Sequence, residues 1–306
     1  LEANRYLIAV SILRREAPTP AVDLLAGQVT QECGTIQGGV IRLLGHLGDV
    51  DVVGDLVERL RESDPAAREN AIELLENIGD RSLMELLLPL LTDDEDERLG
   101  AARELTGWDG RHAEAALTCL LGSCDPWTQM AAAWACLSLG RRDLLTHLPQ
   151  DMDERVTELI DTATSGETAV SEKDQPLTSM EKITFLKESP FFAALPLEEL
   201  YYVALSVQEE TVSGGTTVIR QGTLGDKMYM VVSGRMEVRR FAGEEDAQGQ
   251  QIAVTGAKQV FGDMALLDDE PRSASVIALE DSHLLSLQRT DLERILRRYS
   301  SIAFSM

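Results

Sequence analysis

No run in this sequence approaches the ~20 uninterrupted apolar residues that a membrane-spanning helix requires, so none is expected to cross a bilayer. Cysteine is scarce. Cys33, Cys119, Cys124 and Cys136 form no Cys-x-x-Cys pair and have no histidine at zinc-ligand spacing, which excludes disulfide frameworks and zinc sites and leaves reduced, partly buried thiols. Positive charge is short as well, with 28 Lys and Arg against 52 Asp and Glu for a net charge of −24. An acidic surface repels phosphate backbones and anionic lipid at long range, so nucleic acid and charge-driven membrane docking are both disfavoured. There is no Gly-x-Ser-x-Gly elbow, Walker loop or His-Glu-x-x-His helix, and His46, His112, His147 and His283 are scattered. The reading is a cytoplasmic chain that is not an enzyme. Its first residues, Leu1 to Leu7, carry neither an initiator Met nor a signal-peptide pattern, which suggests a piece of something longer.

What is present divides into halves. Residues 1–179 hold 15 Lys and Arg against 33 Asp and Glu, a net −18, while residues 180–306 hold 13 against 19, a net −6. The first half repeats itself. Val40-Ile41-Arg42-Leu43-Leu44-Gly45-His46-Leu47-Gly48-Asp49 returns 31 residues later as Ala71-Ile72-Glu73-Leu74-Leu75-Glu76-Asn77-Ile78-Gly79-Asp80. Ala101-Ala102-Arg103-Glu104-Leu105 follows about one period on, and Asp64-Pro65 recurs as Asp125-Pro126 after 61 residues, or two periods. Between copies lie further apolar stripes such as Leu83 to Leu91, so each unit reads as two amphipathic helices. Asp-Pro supplies a helix start, with Asp as N-cap and Pro at the first helical position, and Gly-Asp closes the second helix. A single pair cannot bury its apolar face, so neighbouring pairs stack into a solenoid. Asp64, Pro65, Arg68, Ala71 and Leu75 give a pattern that resembles HEAT-like repeats, which implies a scaffold that binds a protein partner or braces an adjoining domain. Trp108, Trp127 and Trp134 fall inside these repeats as core aromatics or a partner-facing patch.

A small, polar, aperiodic stretch from Thr162 to Pro176 reads as a connector. The expected division is therefore a solenoid over 1–161, a linker over 162–177 and a second domain over 178–306. Thr178-Ser179-Met180-Glu181 offers a capping box for the helix that opens the last part. The run Phe261-Gly262-Asp263-Met264-Ala265-Leu266-Leu267 then combines a glycine turn with the start of a short helix, whose unpaired N–H groups favour an anion. Pro271 stops it and delivers Arg272, followed by Ser273, Ala274, Ser275 and Val276. A permanently charged guanidinium can fork two hydrogen bonds onto phosphate oxygens, so this segment suits a singly charged phosphodiester. Taken without the surrounding pattern, Arg272 is a solvated surface charge and Asp263 a helix-start carboxylate complementing the dipole.

These residues resemble the phosphate-binding cassette of the cyclic nucleotide-binding domain family. Val218-Ile219-Arg220-Gln221-Gly222 and Gly225-Asp226-Lys227-Met228-Tyr229-Met230-Val231-Val232-Ser233-Gly234 resemble the same family's strand-turn-strand. The resemblance covers about residues 180–306. It implies an eight-stranded β-roll with leading helices, and Ser286 to Tyr299 reads as a strand end and an amphipathic helix. Only Ser300 to Met306 remain for the lid helix that usually follows in the family. The family's ribose-binding Glu is Asp263 here, one methylene shorter. A hydroxyl at Ser273 is similar to guanine-preferring members.

The fold expected is thus multidomain: an all-α HEAT-like solenoid followed by an α+β cyclic nucleotide-binding domain. The function expected is a regulatory module whose ligand is cAMP ahead of cGMP, held by Phe261, Gly262, Asp263, Met264, Ala265, Leu266, Arg272, Ser273, Ala274 and Ser275. No metal or other cofactor is expected. Nucleotide occupancy would be transmitted to the helical scaffold, with tethering to a larger bacterial membrane protein or transporter as one setting. The alternative is an interaction scaffold whose nucleotide fold has lost its ligand.

Overall fold

The computed structural model describes residues 1–45, 59, 65–78, 90–92, 94–108, 110, 112–149, 152–165, 176–242, 249–263 and 271–298. The chain divides into two compact units, Leu1–Thr164 and Ser165–Met306. Among the described residues the first unit is helical throughout: α1 (Glu2–Glu16), α2 (Pro20–Gly45), α3 (Pro65–Ile78), α4 (Glu95–Thr106), α5 (Ala113–Leu121), α6 (Pro126–Ser138), a 3-10 turn at Arg142–His147 and α7 (Glu154–Ser165). The Asp-Pro start has its expected form at α6, where the Asp125 carboxylate accepts the Thr128 N–H at 2.8 Å with Pro126 at the first helical position. At the earlier copy α3 begins on Pro65, while Asp64 and both Gly-Asp closures lie outside the described residues.

Packing in this unit reaches along the chain. Helix α1 meets α2, α4 and α5, and α2 also meets α6. The apolar stripes supply the core, with Ile8, Leu13, Leu25, Leu117, Leu120 and Met130 almost wholly buried. Polar contacts fix the register: Gln28 Nε2 donates to Asp125 Oδ2 at 2.9 Å and Thr128 Oγ1 to Glu32 Oε2 at 2.8 Å. Trp127 lies under the Arg155 guanidinium, 4.1 Å from its ring centroid. All four cysteines are free, and burial pushes the Cys33 and Cys136 thiols up to about 12, which makes them unreactive. One boundary differs from expectation. Helix α7 continues to Ser165, so residues 162–165 are helical instead of connector. Buried Val156 and Leu159 anchor the helix, and adding residues to a formed helix costs little even when they are small and polar.

The second unit opens with α8 (Ser179–Glu188) and α9 (Leu197–Ser206). Eight strands follow: β1 (Gln208–Val212), β2 (Thr217–Ile219), β3 (Lys227–Ser233), β4 (Met236–Arg240), β5 (Gln250–Thr255), β6 (Val260–Phe261), β7 (Ser275–Ala278) and β8 (Ser282–Gln288). Helix α10 (Arg289–Arg298) closes the series. The capping box forms, with Thr178 Oγ1 accepting the Glu181 N–H at 3.3 Å and Glu181 Oε2 accepting the Thr178 N–H at 2.7 Å. The strands make two four-stranded sheets, ordered β1-β8-β3-β6 and β2-β7-β4-β5, and every described pairing is antiparallel. Between them lies one cluster of Ile219, Tyr229, Val231, Met236, Phe261, Val276, Ala278 and Leu284. This is a β-roll with flanking helices, following the helical unit in the chain. Among the described residues no helix is long and apolar enough to cross a membrane.

Candidate functional site

Arg272 is the chemical centre of the second unit. Its backbone is pinned to the β2–β3 turn, donating N–H to the Thr223 carbonyl and accepting the Gly222 N–H, both at 2.8 Å. That anchorage sends the side chain beneath the next turn of the chain. Nη1 donates to the Gly262 carbonyl at 2.8 Å and Nη2 to the Lys227 carbonyl at 2.5 Å. Two glycines make room. Gly262 has φ +77°, a left-handed conformation that favours glycine, and a Cβ there would lie 2.8 Å from Nη1 and 2.9 Å from Ile219 Cδ1. At Gly225 a Cβ would collide with the guanidinium itself.

The electrostatics separate the two nearby cations. Lys227 Nζ is neutralised by Glu210 Oε1 at 2.9 Å, and that oxygen also accepts Ser286 Oγ at 2.6 Å. Arg272, by contrast, makes no salt bridge among the described residues, and its Nη1 and Nη2 are taken up by carbonyls. Burial pulls its proton affinity below the ordinary arginine value. The neighbouring Arg289 adds to this, while Tyr229, Asp226 and Asp263 oppose it. A guanidinium stays charged under such a shift. The site therefore presents a half-buried positive charge, with N–H groups beyond the two already used and no carboxylate paired to it among the described residues.

The sequence-predicted residues converge here in part. Phe261 is buried at the end of β6 and stacks on Tyr229, with centroids 5.2 Å apart and planes at 13°. Gly262 and Asp263 follow directly, Asp263 half-buried. Ser275 is buried at the start of β7, and its Oγ accepts the Gln221 N–H at 2.9 Å, while Ala274 is half-buried and Ser273 exposed. Met264, Ala265 and Leu266 lie outside the described residues. Sequence reasoning did not single out the Lys227 carbonyl or Gly225's role in the socket. It also missed Gln221, whose amide donates to the Phe241 carbonyl at 3.0 Å and accepts the Phe241 N–H at 2.8 Å. Gln221 and Gly225 stood in the resembling stretch, but only the fold shows what they touch.

A second polar cluster holds α8 to the roll. Both Glu209 carboxylate oxygens accept the Leu177 N–H at 3.1 Å, Lys182 Nζ lies 3.0 Å from Oε1, and His283 Nε2 lies 3.1 Å from Oε2. Burial alone would raise this carboxyl, but the Leu177 N–H, Lys182 and His283 outweigh it and hold Glu209 below the ordinary glutamate range. A depressed folded-state value gives stability that is present above the unfolded value and lost as pH falls through the folded one. We expect Glu209→Gln to lower stability at pH 7 and to flatten the decline as pH falls below the ordinary glutamate value of about 4.3, read from urea unfolding at each pH.

Residues 209–299 match the model of the cyclic nucleotide-binding domain, and residues 22–100 match that of HEAT repeats. The second unit is a cyclic nucleotide-binding domain. The chain is similar to the cyclic AMP receptor protein of Thermus thermophilus, 36% identical over 121 residues, covering 40% of this chain and 55% of that one. It is also similar to the cAMP-dependent protein kinase regulatory subunit of Aspergillus fumigatus, 34% identical over 112 residues, covering 37% of this chain and 26% of that one. The chain thus spans about half the length of the first relative and a quarter of the second. Among solved structures, the cyclic nucleotide-binding domain is similar to the catabolite activator protein of Thermus thermophilus, at 35% identity and TM-score 0.35 over 38% of this chain and 54% of that one. The regulatory domain of Toxoplasma gondii PKA with cAMP gives 28% identity and TM-score 0.36 over 42% and 46%.

Proposed function

We propose that the second unit binds a cyclic nucleotide, cAMP ahead of cGMP, and that occupancy regulates what the helical repeats hold or present. The observation that carries this is the Arg272 guanidinium, half-buried without a salt bridge among the described residues and held by the Gly262 and Lys227 carbonyls. A cyclic phosphodiester carries one negative charge and two exocyclic oxygens, which matches one guanidinium with donors to spare. Phe261, Gly262, Met264, Ala265 and Leu266 would line the phosphate side, and Ser273, Ala274 and Ser275 the flank leading into β7. Asp263 would accept the ribose hydroxyl. The repeats would supply the surface for a protein partner or for the remainder of a larger protein, a membrane-tethered one among the settings. Regulation then takes the form of a population shift, limited by the nucleotide's differential affinity for the two arrangements.

The test is calorimetric titration of the chain with cAMP and with cGMP at one fixed salt concentration. Saturable heat with tighter binding of cAMP is expected. No heat and no thermal stabilisation at millimolar concentrations of either nucleotide would overturn the proposal and leave a scaffold with a ligand-free roll. Asp263 sharpens the test. Because its carboxylate is one methylene short of a glutamate's reach, Asp263→Glu should tighten binding by roughly tenfold, the worth of one charge-assisted hydrogen bond. The gain should vanish with 2′-deoxy-cAMP.

A further inference from the structure

At one end of the β2-β7-β4-β5 sheet a side chain takes the place of a strand. Strand β7 lies between β2 and β4; its first residue, Ser275, pairs with Arg239 near the end of β4, and β2 ends on Ile219 beside Val276. Before Ser275 the chain leaves the sheet, so the segments continuing from β2 and β4 are separated by two strand spacings, roughly 9.5 Å. Gln221 crosses that gap. Its Nε2 donates to the Phe241 carbonyl at 3.0 Å and its Oε1 accepts the Phe241 N–H at 2.8 Å, the reciprocal pair of bonds that an antiparallel strand would make there. The Phe241 N–H can only donate and its carbonyl only accept, so one orientation of the amide satisfies both, and a carboxylate could satisfy only one.

The same residue fixes the turn from which Arg272 hangs. The Gln221 N–H goes to Ser275 Oγ at 2.9 Å, and the next two residues hold the Arg272 backbone, through the Gly222 N–H and the Thr223 carbonyl, both at 2.8 Å. Thr223 closes the turn on itself, its N–H and hydroxyl both reaching the Arg220 carbonyl, at 3.3 and 2.7 Å. On the far side, the Phe241 ring packs against Gly249, where a Cβ would lie 2.8 Å from Cε1. The Gln221 amide thus ties the 221–223 turn to the β4–β5 hairpin. A guanidinium on a flexible stem is aimed only by what fixes its backbone and by what its nitrogens touch, so the aim of Arg272 depends on that tie.

We propose that Gln221 is a positioning residue for phosphate recognition: its amide stands in for the missing continuation of β7, holds the 221–223 turn to β4, and so sets the direction of the Arg272 fork. This rests on the nucleotide-binding reading above and adds a residue that acts through Arg272. Its effect is on the aim of the charge, not on its presence. Without the amide the turn loses its tie to the hairpin, the guanidinium takes a wider range of directions, and the two exocyclic oxygens of the phosphodiester are no longer told apart.

The experiment is calorimetry, with thermal unfolding as the check on folding, on the full chain, on Gln221→Ala and on Gln221→Met, which keeps the side chain's length without its hydrogen bonds. The probes are cAMP and its two diastereomeric phosphorothioates, in each of which sulfur replaces one exocyclic oxygen and weakens the hydrogen bond accepted there. The parent should prefer one diastereomer by about tenfold, the worth of one charge-assisted bond. Both variants should fold, since Phe241 is only half-buried and water can reach its freed amide. They should bind cAMP about three- to tenfold more weakly and separate the diastereomers by less than about threefold. In Arg272→Lys, which has no fork to aim, adding Gln221→Met should weaken cAMP binding by less than about twofold. Variants that keep the parent's diastereomer preference, a parent that has none, a Gln221→Met that costs as much in Arg272→Lys as in the parent, or a Gln221→Met that does not fold would each overturn the positioning role and leave nucleotide binding intact. A parent that binds neither cAMP nor cGMP overturns the binding reading itself, and the positioning role with it.

Discussion

Arg272→Ala is expected to reduce cyclic nucleotide affinity by at least about 100-fold in calorimetry, because it removes a fixed charge and a forked donor together. Lys227, an adjacent cation, does not replace the group, since it is committed to Glu210 at 2.9 Å. Stability should respond far less than binding. The variant strands the Gly262 and Lys227 carbonyls, which costs about 1–3 kcal/mol for each one left unsatisfied, but it also relieves the burial of an unpaired guanidinium. A small fall in melting temperature with binding abolished is therefore the expected combination. Arg272→Lys separates charge from geometry. It keeps the cation and loses the fork, and an affinity between those of parent and alanine variant is expected. Parent-like affinity in Arg272→Ala would show that the nucleotide is held elsewhere or that the binding reading is wrong.

The features readable from the sequence were those encoded over a few consecutive residues. The Asp125-Pro126 helix start and the Thr178–Glu181 capping box depend on local backbone chemistry, and each has its expected form. Strand β3 likewise ends at Ser233, and the glycine after it has a local reason, since Gly234 has φ +94° and a Cβ there would strike Ser282. What could not be read depends on residues far apart in sequence. Nothing in Lys227 announces that its carbonyl will receive Nη2 of a residue 45 positions on. The same holds for Glu209 with Leu177 and His283, and for Gln28 with Asp125, 97 residues away. Periodicity shows that α1 and α2 each have an apolar face. It does not show that those faces reach α4, α5 and α6 as well as each other. Helix ends are weakly encoded for a related reason: α7 overran the polar residues 162–165 because extending a helix already anchored by Val156 and Leu159 needs no further apolar contact.

Gly225→Ala isolates the position of the guanidinium from its presence. The new methyl would occupy the space now filled by Arg272 Nε, Cζ and Nη2, all atoms of a flexible side chain. Gly225 is not among the positive-φ glycines, so alanine imposes no left-handed strain there. The methyl is thus accommodated by expelling the arginine from its socket, an outcome that leaves the backbone of the β2–β3 turn and its bonds from Gly222 and Thr223 in place. Stability should show the same small fall expected of Arg272→Ala, because the expelled guanidinium strands the same Gly262 and Lys227 carbonyls while its burial is relieved. Affinity for cAMP should fall on the order of 10- to 100-fold, because a displaced guanidinium must be reordered before it can fork onto the phosphate. Gly262→Ala provides the contrast. It meets the same guanidinium at 2.8 Å but also forces alanine to φ +77°, so it should lose about 1 kcal/mol or more of stability along with binding. If Gly225→Ala bound as tightly as the parent, Arg272 would act through charge alone, and the carbonyl socket that aims it would be irrelevant to recognition.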